Sequence, residues 1–118
     1  MSFYQAIILE HYHNPRNFGR LKDFTKTCNV SNPLCGDHIV LDIHFYKGMI
    51  DAIMFTAEGC AISKASTSLL TEFAKHKPIK DLKKLDKDFM INLLGVQIGP
   101  NRLKCALLPL EALQTLLI

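Results

Sequence analysis

The chain carries four cysteines, at positions 28, 35, 60 and 105. Thiolates bind zinc, iron and iron–sulfur clusters, and they attack persulfides. They are widely spaced, and no two of them form a CxxC pair. Three of them stand at structural boundaries. Cys35-Gly36-Asp37 reads as a turn feeding a strand, Cys60 follows Gly59 ahead of a helix, and Cys105 lies about one and a half turns into the last helix. Side chains at loop tips and helix starts can converge on one point. Three thiolates and one carboxylate would complete a tetrahedral site for zinc or iron. Asp37 is the natural fourth ligand, two residues from Cys35 across a glycine, and His38 competes with it. At a helix N-terminus Cys60 meets the positive end of the dipole, which favours thiolate, and Lys64 could add to this. The bland alternative is that a cysteine serves as a small apolar core residue. That alternative holds for Cys28, which has neither a glycine turn nor a neighbouring acid.

Several elements must position these residues. Ser2-Phe3-Tyr4-Gln5 reads as a capping box opening a helix with Tyr4, Ile8 and His11 or Tyr12 on one stripe. Asn14-Pro15 ends it, and residues 16–27 read as a loop. Ile39, Leu41, Ile43 and Phe45 alternate with Val40, Asp42, His44 and Tyr46, which predicts a half-buried strand with one wet face. Lys47-Gly48 turns it into a second strand, Ile50 to Thr56, and Val30 to Leu34 supplies a short third. A helix follows from Ala61 to Lys75, with Ile62, Ser66, Leu69 and Phe73 as its stripe. Two short helices are expected near Ile79 to Leu85 and Asp88 to Leu94. A last helix runs from Pro100 to Ile118, with Pro109 predicting a kink or a break. Six lysines lie between Lys75 and Lys87, and they read as a solvated helix face. The expected fold class is α+β, a small antiparallel sheet of about three strands packed with helices, in one domain spanning residues 1–118.

Composition narrows the setting. The chain has 118 residues, 48% of them apolar, and a net charge of +3. These values fit one globular domain with a real core and argue against disorder and nucleic-acid binding. No apolar run is long enough for a membrane span, and no secretory signal is evident. Reduced thiols and a cytoplasmic location are expected, so metal or sulfur chemistry is favoured over a disulfide framework.

Tyr4, Ile8, His11-Tyr12, Asn14-Pro15-Arg16-Asn17 and Gly19 resemble the N-terminal signature of the NifU-like proteins, including IscU and SufU. Cys35-Gly36-Asp37 matches the first cysteine motif of that family. Gly59-Cys60-Ala61-Ile62-Ser63, with Ala65-Ser66 and Ser68, matches the second, and Lys104-Cys105-Ala106-Leu107 matches the third. The resemblance spans nearly the whole chain. It implies a scaffold for iron–sulfur cluster assembly that takes sulfur, as persulfide, from a cysteine desulfurase and serves apo iron–sulfur acceptor proteins. It implies Cys35, Asp37, Cys60 and Cys105 as ligands of a transient cluster or of Zn(II). Cys105 is the first candidate persulfide acceptor and Cys60 the second. A carboxylate among thiolates weakens the hold on a soft cluster, which suits a scaffold that must release its product.

The second and third motifs look more like SufU than IscU, and Lys104 stands where IscU proteins carry a histidine. The insertion that SufU proteins usually carry before the third cysteine is missing. Ile98-Gly99-Pro100-Asn101-Arg102 does not reproduce the motif by which IscU engages a specialised chaperone, so that partner is doubtful. The readings are therefore a cluster scaffold, a zinc-bound SufU-type sulfurtransferase that stimulates a desulfurase, and, remotely, an interaction domain with structural cysteines.

Overall fold

The computed structural model of the chain describes residues 3–33 and 36–118. The helices are α1 (Phe3–His13), α2 (Ala61–Ala74), α3 (Ile79–Leu82), α4 (Lys87–Leu94) and α5 (Pro100–Leu116). The strands are β1 (Lys26–Asn32), β2 (Asp37–Tyr46) and β3 (Met49–Glu58). They form one antiparallel sheet in the order β1-β2-β3, as the α+β expectation requires. Ser2 of the expected capping box, Leu34, and the side chain of Tyr4 lie outside the described residues.

The alternation in β2 puts Ile39, Leu41 and Ile43 in the core, each at most 1% exposed. Ile53 and Phe55 face them from β3, paired with Ile43 and Leu41. Lys47 and Gly48 both take positive φ, 53° and 75°, as a two-residue hairpin with right-handed strand twist demands. Leu70, Ala74, Met90 and Leu113 close the core from the helical side.

The opposite face of β2 is not uniformly wet. Asp42 has no exposed surface. The loop before β1 folds over this face and supplies the reason. Arg20 Nε donates to Asp42 Oδ2 at 2.6 Å, the Leu21 N–H donates to the same oxygen at 3.1 Å, and Thr27 Oγ1 donates to Oδ1 at 2.6 Å. A buried carboxylate is tolerable when its lone pairs are filled in this way. That loop also pins the outer edge of β3, where the Phe55 N–H donates to Asn17 O and the Gly19 N–H to Phe55 O.

Three further expectations are corrected. β1 starts at Lys26, earlier than Val30, because residues 26–32 pair in unbroken register with β2 although their outward residues are polar. On α2 the expected stripe was Ile62, Ser66, Leu69 and Phe73; Ser66 is buried, but the other three are only partly so, while Ser63, Thr67, Leu70 and Ala74 are among the most buried positions. This helix is packed by α1, α4, α5 and β3 together. Small hydroxyl residues permit that approach by bonding back to their own helix: Thr67 Oγ1 donates to Ser63 O at 2.7 Å. Finally, of the two outcomes expected at Pro109 the break does not occur. The helix runs through Pro109 as one element, Pro100–Leu116, where Leu108, Pro109, Leu110, Ala112 and Leu113 are all buried, and tertiary packing outweighs the missing donor.

Candidate metal centre

Asp37, Cys60 and Cys105 come from three separate elements. Asp37 opens β2, Cys60 is the N-cap of α2, and Cys105 lies inside α5. A carboxylate oxygen and the two sulfurs all lie within 4.8 Å of one another. Asp37 and Cys105 are each 1% exposed, while Cys60 is half-buried, so the cluster opens to solvent beside Cys60.

The local chain geometry fixes the first two ligand atoms together. Asp37 Oδ1 accepts the Cys60 N–H at 2.8 Å. Asp37 Oδ2 accepts from the Cys60 thiol at 3.9 Å. Cys60 Sγ accepts in turn from the Ser63 N–H at 3.4 Å, which caps the helix with sulfur in place of the usual oxygen. Gly59 makes this approach possible. It holds φ at +122°, and a Cβ built on it would stand 2.2 Å from Asp37 Oδ1 and 2.7 Å from Asp37 Cα.

The donor set fits a borderline metal. Zinc accepts thiolate and carboxylate together in tetrahedral geometry, and ferrous iron accepts both. A cation bound here would take the place of the Cys60–Asp37 contact. No disulfide joins Cys28, Cys60 or Cys105.

Other expected residues fall elsewhere. Cys35 lies outside the described residues. His38 does not join the cluster, since it follows Asp37 in β2 and so points to the other face of the sheet. Cys28 sits on β1, where its thiol donates to Ala112 O at 3.5 Å. Burial, then the charge of Asp42, pushes the Cys28 thiol up, which keeps it protonated and inert. The ammonium of Lys64 is held between two rings, 5.4 Å from the Tyr12 centroid and 5.0 Å from that of Phe18, an arrangement invisible in helical spacing alone. Gly59 as the residue that admits Asp37, and the Asp42 network, were missed from sequence. A glycine directly before a candidate ligand was the available signal for the first.

The NifU-like N terminal domain family matches residues 3–117. The zinc-dependent sulfurtransferase SufU of Bacillus subtilis is 35% identical over 130 aligned positions, covering 96% of this chain and 88% of that protein. That alignment is longer than the chain, as it must be where the relative carries residues that this chain lacks. The iron–sulfur cluster assembly scaffold protein IscU of Aquifex aeolicus is 37% identical, covering 96% of this chain and 73% of its own length. IscU 1 of Archaeoglobus fulgidus is 32% identical over 115 positions, 98% of this chain and 74% of that one. Among solved structures, a candidate SUF-system cluster assembly scaffold from Fervidobacterium islandicum matches with a TM-score of 0.80 and 27% identity, covering 100% of this chain and 96% of that chain. Motif order, sheet topology and whole-length similarity agree: this chain belongs to the NifU-like N-terminal domain family, among the IscU and SufU relatives.

Proposed function

We propose that this chain is an iron–sulfur cluster assembly scaffold, with Asp37, Cys60 and Cys105 holding the metal and Cys35 completing the set. The observation that carries this reading is the convergence of one carboxylate oxygen and two cysteine sulfurs within 4.8 Å, on three different elements. Iron and sulfide are then cargo, assembled at the cluster and passed to apo acceptor proteins. A cysteine desulfurase supplies the sulfur. Residues 1–118 act as one domain, in the cytoplasm.

A thiolate of Cys105 or Cys60 receives the sulfur by attacking the outer sulfur of the donor's persulfide. A new S–S bond forms on the acceptor, the donor's S–S bond breaks, and the donor departs as thiolate. The exchange needs no outside oxidant or reductant. Opening of the site beside the half-buried Cys60 gives the donor an approach.

The likeness to SufU supports a second reading, in which Zn(II) is the resident metal and the chain works as a sulfurtransferase. Zinc, when bound, holds the ligand cysteines as thiolates and masks them until a donor arrives. Metal analysis and anaerobic reconstitution separate the two readings. A scaffold gives a visible charge-transfer spectrum with iron, cysteine and a desulfurase, and Cys60→Ala or Cys105→Ala abolishes it. Stoichiometric zinc, no cluster, and stimulated desulfurase turnover that Cys105→Ser removes indicate the sulfurtransferase. An unchanged spectrum in both alanine variants overturns the ligand assignment.

A further inference from the structure

Two buried polar side-chain atoms lack a hydrogen-bond partner among the described residues, Asn32 Nδ2 and Ser63 Oγ. Both flank the metal centre. Asn32 closes β1 and pairs directly with Asp37. Directly opposed residues of an antiparallel pair put their side chains on the same face, with Cβ atoms about 5 Å apart. The inward row of β1 therefore runs Cys28, Val30, Asn32 against Leu41, Ile39, Asp37. It ends on an amide, only 7% exposed, where an apolar residue would fill the space without an orphaned donor. Ser63 lies one turn into α2 from Cys60, whose sulfur its backbone N–H already caps, and it is 1% exposed. An unmade donor in the interior is costly, and two beside one site point to a missing acceptor. A recess of about 300 Å³ opens beside Asn32, with Lys104 and Glu111 both on its wall.

We propose that the Asn32 amide, with the Ser63 hydroxyl as a second donor, holds an anionic sulfur atom at the Asp37–Cys60–Cys105 centre. The acceptor is either the terminal sulfur of a perthiolate on Cys60 or Cys105, or a sulfide of a nascent cluster. Sulfur anions accept N–H and O–H donors. This assignment rests on the sulfur-handling reading above. It gives the chain a means of retaining delivered sulfur that is separate from the metal ligands.

The test uses the full chain as wild type, Asn32→Leu and Ser63→Ala. In one arm the zinc-loaded protein meets a small alkyl persulfide. The gain of one sulfur atom is followed by intact mass, and its loss is timed after the donor is removed. In the other arm ferric iron and sulfide are added anaerobically, and the lifetime of the charge-transfer band is recorded. Each variant is expected to lose its sulfur about tenfold faster, the value of one hydrogen bond to a charged group. Zinc content should match wild type, and the sulfur-free melting temperature of Asn32→Leu should be no lower. A faster loss in one arm only identifies the source of the sulfur. Equal lifetimes in both arms overturn the proposal, as does a parallel fall in zinc content and melting temperature, which marks a purely structural role. Should Asn32→Leu fail to fold, Ser63→Ala decides alone. A wild type that takes up no sulfur in either arm removes the functional reading and this assignment together. A wild type that takes it up while the variants keep it equally well removes only the assignment.

Discussion

Replacing Gly59 with alanine should dismantle the centre without touching a ligand. The added Cβ would sit 2.7 Å from Asp37 Cα. Unbonded carbons rest at about 3.5–4.0 Å, so the shortfall is roughly 1 Å against backbone that cannot rotate away. The 2.2 Å approach to Oδ1 forces the carboxylate aside as well, and the Cys60 N–H loses its acceptor. A hydrogen bond to a charged group contributes about 1.5–3 kcal/mol, and a side chain held at positive φ costs about 1–3 kcal/mol. The combined loss is about 2.5–6 kcal/mol, a large part of the ~5–15 kcal/mol that holds a domain together. Calorimetry should show a melting temperature lower by about 10–25 °C for a chain of this size. Gel-filtered protein should retain little zinc. In an Asp37→Ala background the same substitution should cost less, because the Oδ1 contact and the Cys60 bond are already gone. Full zinc content together with a melting temperature close to wild type would refute the claim that Gly59 exists to admit Asp37.

Other outcomes follow from the same geometry. Cys28→Ser should leave metal content and sulfur uptake unchanged and shift stability by no more than about 1.5 kcal/mol, since its thiol makes one neutral bond to Ala112 O; a loss of metal would overturn its reading as a core residue. Thr27→Val should destabilise the fold by about 1–2 kcal/mol through Asp42, measured by denaturant unfolding. Burial pushes the Asp42 carboxyl up, but the bonds from Arg20, Thr27 and Leu21 outweigh it and hold the group below its ordinary value. Its contribution is therefore complete above the ordinary carboxylate range and vanishes as pH falls through the lowered value, so Asp42→Asn should flatten the acid limb of the stability curve. Burial, followed by the charge of Arg16, lowers His11 below 6.5. Ser68 Oγ accepts the Arg16 N–H and lies 2.7 Å from His11 Nδ1, which holds the ring in this partly buried place. That stability is present above pH 6.5 and lost as pH drops below it, a slope that His11→Gln should remove.

Some of this was legible in the sequence because local chemistry and tertiary structure point the same way. The two-residue period of Ile39 to Phe45 marks one face of a strand whatever packs on it, and Lys47-Gly48 marks a hairpin. Asp37 could be nominated because a carboxylate two residues from Cys35 across a glycine has few places to go. What was hidden depends on partners distant in the chain. Nothing near Asp42 announces that Arg20 will cover it, 22 residues away. The inward face of α2 could not be read from apolar spacing, since serines and threonines there bury themselves by bonding to their own helix. Pro109 looked like a breaker because the rule is local, while the burial that holds α5 together is not.

The three atoms that would meet a cation ride on different carriers. Asp37 and Cys60 are tied by a backbone hydrogen bond and by the Gly59 contact, so they move as one body. Cys105 rides on a separate element, α5. Any slide of α5 along the corner between β2 and α2 would therefore change the distance from its sulfur to both other donors at once, while the Asp37–Cys60 spacing held. The width of the centre is thus set by how α5 is seated.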